Sequence, residues 1–156
     1  MTYYLGADPG SAGGLAILDG EGSIFATWRW AKCSLLGLSA DLRAITAEHR
    51  VVGHLERVGA WPGQGRSSAF TFGHNAGQME ALLRLSGVAY TLETPANWQR
   101  RMRCDKKSLG SDTGPAHKRA LLEEARRRWP GHAMHADVAD ALLLAEDCRM
   151  LRGARA

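Results

Sequence analysis

Cysteine is scarce in this chain, and its three copies stand far apart at Cys33, Cys104 and Cys148, with no CxxC pair. That excludes a zinc ribbon, a thioredoxin-like site and a disulfide scaffold, and it suits reduced thiols in a cytoplasm-like compartment. No apolar run approaches the ~20 residues needed to span a bilayer. The opening MTYYLGADPG has neither the basic nor the apolar region of a signal peptide, so a soluble protein without a membrane partner is expected. No Gly-Lys-Ser/Thr follows Gly10 or Gly14, which removes a Walker-type site and with it the expectation of a nucleotide cofactor. Lysine is rare too. Of 20 basic residues only Lys32, Lys106, Lys107 and Lys118 are lysines, the rest being arginine. Arginine favours forked phosphate contacts, although genome composition also produces such a bias.

What is present fits one compact domain. The chain has 156 residues, 45% hydrophobic and 23% charged, with a net charge of +4. A chain of this size buries roughly two-thirds of its unfolded surface and needs no metal or disulfide to fold. Residues 1–152 read as a single domain and 153–156 as a short tail. Thr2 to Ala7, Leu15 to Leu18 and Ser23 to Trp30 read as strands joined by Gly-rich turns. A helix follows from Leu38 to His49 with Ser39 as N-cap, then a strand from Val51 to Leu55 ending at Glu56. Ser68 to Leu85 is helical, Val88 to Leu92 a fifth strand, and Pro95 opens a short helix. Helices from Ala116 to Trp129 and from Ala136 to Leu151 complete the chain. An antiparallel meander followed by alternating strands and helices predicts an α/β fold: a mixed five-stranded sheet with helices on both faces.

Four carboxylates attract attention. Asp8 ends the first strand before Pro9-Gly10-Ser11, where by itself it is an ordinary turn residue. Glu56 ends the fourth strand in the same way, and alone it is a solvated strand end. Asp137 and Asp140 lie three apart on one face of the last helix, where first-turn acids commonly cap amides and complement the dipole. Together they are more informative. Two acids at strand ends and two at a helix start converge if the helix packs across the sheet. Four carboxylates at one point repel unless a cation joins them. Mg²⁺ takes such oxygen ligands, and a pair of ions about 4 Å apart clamps the attacking water and leaving oxygen of a phosphodiester displacement.

At these residues the sequence resembles the RuvC family of Holliday-junction resolvases, within the ribonuclease H-like superfamily. The matching pieces are Gly6-Ala7-Asp8-Pro9-Gly10-Ser11, Glu56, and Ala136-Asp137-Val138-Ala139-Asp140-Ala141-Leu142. Tyr90 to Pro95 and Gly114-Pro115-Ala116-His117-Lys118 fit as well, so the likeness runs from Leu5 to about Leu144, and the Trp-rich chain looks more like phage-encoded members. The resemblance implies a homodimeric endonuclease in the cytoplasm of a bacterial cell or an infected host, nicking four-way DNA junctions in pairs. Asp8, Glu56, Asp137 and Asp140 would hold two Mg²⁺ ions per site, with Mn²⁺ as a substitute. Lys118 would approach the scissile phosphate, unless it is a solvated helix-start lysine. His135 would assist the attacking water or stand as a surface histidine. Trp61 occupies the segment where the family commonly has an aromatic that enters the junction; it either stacks on an exposed base or belongs to the core. Gln99-Arg100-Arg101 replaces the family's frequent paired lysines, keeping charge but changing its shape.

Charge clusters support a nucleic-acid partner. Arg100 to Arg128 holds ten basic residues against four acids, a local excess that neutralises backbone phosphates. Arg57, Arg66, Arg100, Arg101, Arg103, Lys106, Lys107 and Lys118 are the candidate DNA contacts, whereas Arg126 to Arg128 suits a solvated helix end. Three alternatives stay open. A broader flap or fork nuclease would use the same acids, a non-catalytic DNA-binding module would keep the fold alone, and an actin-like kinase would need a second lobe that 156 residues do not supply.

Overall fold

The computed structural model describes residues 1–57, 59, 63 and 65–153. Five strands form one sheet in the order β3-β2-β1-β4-β5: β1 (Thr2–Asp8), β2 (Gly14–Leu18), β3 (Ile24–Arg29), β4 (Arg50–Glu56) and β5 (Ala89–Glu93). The first three are antiparallel, and β4 and β5 join in parallel. This is the mixed five-stranded sheet that the strand pattern predicts, in the ribonuclease H-like arrangement that the resemblance implies.

Side-chain alternation along β1 divides the molecule into two layers. Tyr3, Leu5 and Ala7 pack with Leu15, Ile17, Val51 and Leu55 against α1 (Leu35–Glu48) and α2 (Arg66–Leu85). On the opposite face, Ala16 and Leu18 pack beneath α3 (Pro95–Arg101), α4 (Gly114–Arg128) and above all α5 (Ala136–Gly153). Helix α5 is buried from Val138 to Ala145 and again at Asp147 and Cys148. It crosses β1 at Gly6, where a Cβ would stand 2.0 Å from the Ala141 carbonyl oxygen and 2.5 Å from the Ala145 nitrogen. Glycine is therefore what lets the helix lie directly on the strand. No helix among the described residues is long and apolar enough to cross a membrane.

Most elements follow the sequence pattern, but α1 begins earlier than its apolar spacing suggests. Ser34, not Ser39, is the N-cap, and its hydroxyl accepts the Gly37 N–H at 3.1 Å. Leu35 and Leu36 in the first turn are exposed, so only Leu38 and Leu42 carried the periodic signal. A single 3-10 turn at Trp30–Lys32 also goes unannounced. The last helix runs through Gly153, two residues beyond its expected end.

Helix α3 closes on Arg103, whose φ of 54° places a side-chain-bearing residue in the left-handed region. The Cys104 N–H reaches back to the Gln99 carbonyl at 2.6 Å, completing the helix stop. Left-handed backbone costs a non-glycine residue about 1 kcal/mol. Arg103→Gly is accordingly expected to raise stability by about that amount while weakening DNA binding through the lost cation. Chemical denaturation beside a DNA titration checks both; a loss of stability would contradict the assignment of strain.

Candidate active site

The site lies where parallel strands end, the usual ligand position on an open α/β sheet. Within β1 and β4 the register pairs Gly6 with His54 and Ala7 with Leu55. Asp8 and Glu56 are the next residues of each strand, and both lie two positions beyond a residue that faces α5. Alternation therefore sends both carboxylates to the α5 face, side by side. Helix α5 supplies Asp140 from the position immediately before Ala141, where the helix crosses Gly6, so the third acid arrives from above.

Local structure fixes each group. Asp8 is only 6% exposed, and its Oδ1 accepts the Gly10 N–H at 2.9 Å. The turn folds closely over it: a Cβ on Gly13 would sit 2.2 Å from the Asp8 carbonyl oxygen. Glu56 is held from α3, whose Trp98 indole N–H donates to Oε2 at 2.8 Å. Asp140 is 6% exposed and ion-paired with Lys118 of α4.

These groups feel one another strongly. Burial, then the Asp140 charge, raises the Asp8 carboxyl above its ordinary range, although Lys118 and the Gly10 N–H pull the other way. Glu56 is pushed up to about 8, by burial and by Asp8, with a smaller push from Asp140; its Trp98 bond and Lys118 oppose the rise. Burial works against the charge on Lys118, but Asp140, Asp8 and Glu56 more than offset it, so its pKa stands above normal. Two buried carboxyls and a half-buried third around one ammonium form an acidic pocket short of positive charge.

Asp137 stands apart from this group. Its Oδ2 accepts from Arg29 Nε of β3 at 2.7 Å, with the acid about one-fifth exposed. His135 lies exposed just before α5, where its carbonyl accepts the Val138 N–H. Among the described residues, no three His, Cys, Asp or Glu side chains stand ready-spaced around a metal position. The donor chemistry nevertheless fits a hard divalent cation. The converging groups offer only carboxylate oxygens, and the raised pKa values of Asp8 and Glu56 mark positive charge as the missing component.

The candidate DNA residues divide into two groups. Arg57, Arg66, Arg100, Arg103, Lys106 and Lys107 are exposed and make no ion pair among the described residues. Arg101 is committed elsewhere: it forks onto Asp147 at 2.8 and 2.6 Å and reaches Glu93 at 2.9 Å. Asp147 also accepts from His54 Nδ1 at 3.1 Å. Burial would raise the Asp147 carboxyl, but Arg101 and His54 hold it low. Arg126, Arg127 and Arg128 pair with Glu123 and Glu124 of their own helix. Trp61 falls outside the described residues.

Arg29, Trp98 and Asp147 are the site-supporting residues that sequence patterning passed over. Only Asp147 carried a signal, standing seven residues after Asp140 in an otherwise apolar helix and so on the same face.

With the geometry in place, comparison with solved structures is informative. A structure described as T. thermophilus RuvC in complex with Holliday junction substrate matches 98% of this chain and 96% of that one, with a TM-score of 0.67 at 15% identity. The fold is RuvC-like. A second Thermus thermophilus RuvC structure matches 97% of this chain and 96% of its own, with a TM-score of 0.56 at 16% identity. No protein-family model matches the chain, and no curated protein matches it in sequence. The RuvC-like fold thus spans nearly the whole chain, including the ends of β1 and β4 and the start of α5 where the acids lie.

Proposed function

We propose that the protein is a divalent-metal-dependent endonuclease that resolves four-way DNA junctions by paired nicks. The observation that carries this reading is the convergence of buried Asp8 and Asp140 with half-buried Glu56 on one end of a RuvC-like sheet, together with exposed arginines and lysines that make no ion pair among the described residues. A pure binding module has no use for three mutually repelling acids at one point. A broader fork or flap nuclease would use the same site, and the neighbour's junction substrate favours four-way DNA.

Asp8, Glu56 and Asp140 would hold the metal, with Asp137 joining once released from Arg29. Bound there, Mg²⁺ or Mn²⁺ supplies charge neutralisation and a more acidic water for in-line hydrolysis. The chain does the positioning. Gly10 fixes the Asp8 carboxylate and Trp98 fixes Glu56. Lys118, about two-thirds exposed, brings a cation to the mouth of the site, where it meets phosphate charge that develops during cleavage.

A second copy of the chain would supply the second nick. Leu36, Leu85 and Phe70 are 84%, 78% and 76% exposed on α1 and α2, an apolar surface that a two-fold partner would cover. Met79 and Leu83 of α2 serve the protein's own core instead. Sedimentation at micromolar concentration is expected to show a dimer; a monomer that still nicks in pairs would contradict the arrangement.

The test of function is nicking of a labelled junction with Mg²⁺ and with EDTA, against linear duplex, fork and flap. Junction-selective, metal-requiring nicks are expected; equal cutting of fork and flap would turn the assignment to a general branched-DNA nuclease. The carboxyl cluster also predicts a pH effect. Glu56 binds its proton more tightly in the fold than in the unfolded chain, so its contribution to metal-free stability is fully present below about pH 4.5 and is lost as pH rises toward about 8. The decline attributable to this group is up to about 1.4 kcal/mol per pH unit. Melts across this range should slope less steeply for Glu56→Gln, and Mg²⁺ should stabilise the wild type more at pH 8 than at pH 5. Equal slopes would contradict the buried-acid account.

A further inference from the structure

A cavity of about 800 Å³ opens between α3, the loop after it and the start of α4, where its lining residue His117 lies within the field of Asp140. Pro95, Ala96, Gln99 and Arg100 line it from α3, and Lys106 and Lys107 from the loop. Resting on the nuclease reading above, we infer that this cavity receives one unstacked nucleotide of the branched DNA, next to the strand being cut. Its volume falls in the range of pockets that enclose a ligand, and a phosphate group alone would leave it nearly empty.

The distribution of groups matches a nucleotide. Arg100, Lys106 and Lys107 are exposed and outweigh the Asp105 carboxylate that also lines the cavity and accepts from Ser108, so net positive charge stands at the mouth, where the sugar–phosphate strand would run. His117 is buried and both ring nitrogens are engaged: Nδ1 with Ser111 Oγ at 2.9 Å, Nε2 with Gln99 Oε1 at 3.1 Å. A carbonyl oxygen can only accept, so Nε2 carries the proton and Nδ1 accepts from the serine hydroxyl. Burial, which holds the His117 pKa down, keeps the ring neutral in that form. The Ser111–His117–Gln99 chain therefore fixes the Gln99 amide with its oxygen occupied and its NH₂ group available. That donor suits the acceptor edge of a base, while Pro95 and Ala96 offer uncharged surface for its ring.

The location links pocket and chemistry. Gln99 follows Trp98, which holds Glu56, and His117 precedes Lys118, which pairs with Asp140. A base seated here places the adjoining phosphate near the acids. Gln99 would then be a specificity-determining residue and His117 a positioning residue acting through it. Among the described residues no Phe, Tyr or Trp lines the cavity, so a base seated against them would not be quenched by stacking.

The test places 2-aminopurine singly at positions flanking the exchange point of a junction, with metal-free wild-type protein. Fluorescence is expected to rise several-fold at one position. Ala96→Leu, which fills the cavity from an exposed helix position, should abolish the rise and weaken binding about tenfold, the loss of one base contact. Gln99→Leu should blunt the base preference at that position in competition between junctions. Tight binding with no rise at any position, or a rise unchanged in Ala96→Leu, would overturn the pocket and leave the nuclease reading intact. Failure of the wild type to bind junctions would overturn the nuclease reading and the pocket with it. Enhanced emission from free 2-aminopurine nucleoside monophosphate, without any rise in the junction, would overturn the assignment to DNA.

Discussion

Asp8→Asn is expected to lower junction cleavage on the order of 10³-fold or more while leaving junction binding largely intact. The same change should raise the melting temperature of the metal-free protein. Asp8 is almost fully buried, with Asp140 and Glu56 among its electrostatic neighbours. Asparagine keeps the shape and can still accept the Gly10 N–H through its own oxygen, yet it carries no charge to desolvate. Removing one of three repelling carboxyls therefore relieves the fold, by about 0.5–2 kcal/mol for a substitution of this kind. Parallel cleavage assays and thermal melts check both halves. Lost cleavage with lowered stability would mean that Asp8 is a structural residue and not a strained functional one.

The second large effect belongs to the backbone. Gly6→Ala should destabilise the protein by about 3 kcal/mol or more, because the new methyl group meets the α5 backbone and not a movable side chain. Relief requires the helix to lift from β1, which separates Asp140 from Asp8 and lowers cleavage as well. Gly20→Ala provides the comparison, since nothing lies within 4 Å of a Cβ there. It should melt close to wild type. A Gly6→Ala protein with unchanged melting temperature would contradict the direct seating of α5 on β1.

These two residues show where the sequence was readable. Asp8 and Glu56 announce themselves because apolar strand runs end on them, and strand alternation then fixes the face each side chain takes. Gly6 lies inside a strand, where it offers no local turn signal, and only the path of α5 explains it. The partners of the acids were hidden for the same reason. Arg29 meets Asp137 across 108 positions, and Trp98 meets Glu56 across 42, so neither pair has any local spacing to betray it. Arg101 illustrates the converse. In the sequence it belongs to a basic run, yet docking of α3 delivers it to buried Asp147 while its neighbour Arg100 stays exposed. The start of α1 escapes the apolar pattern on similar grounds, because Ser34 caps a first turn whose leucines face outward.

The most direct test is to map every cut on an immobile four-way junction, each strand labelled in turn, with Mg²⁺. The account predicts nicks of matching position on two opposing strands of like polarity, absent with EDTA and in Asp8→Asn. Tight junction binding with no strand cut, in Mg²⁺ or Mn²⁺, would contradict it and leave a DNA-binding protein that keeps the fold without the chemistry.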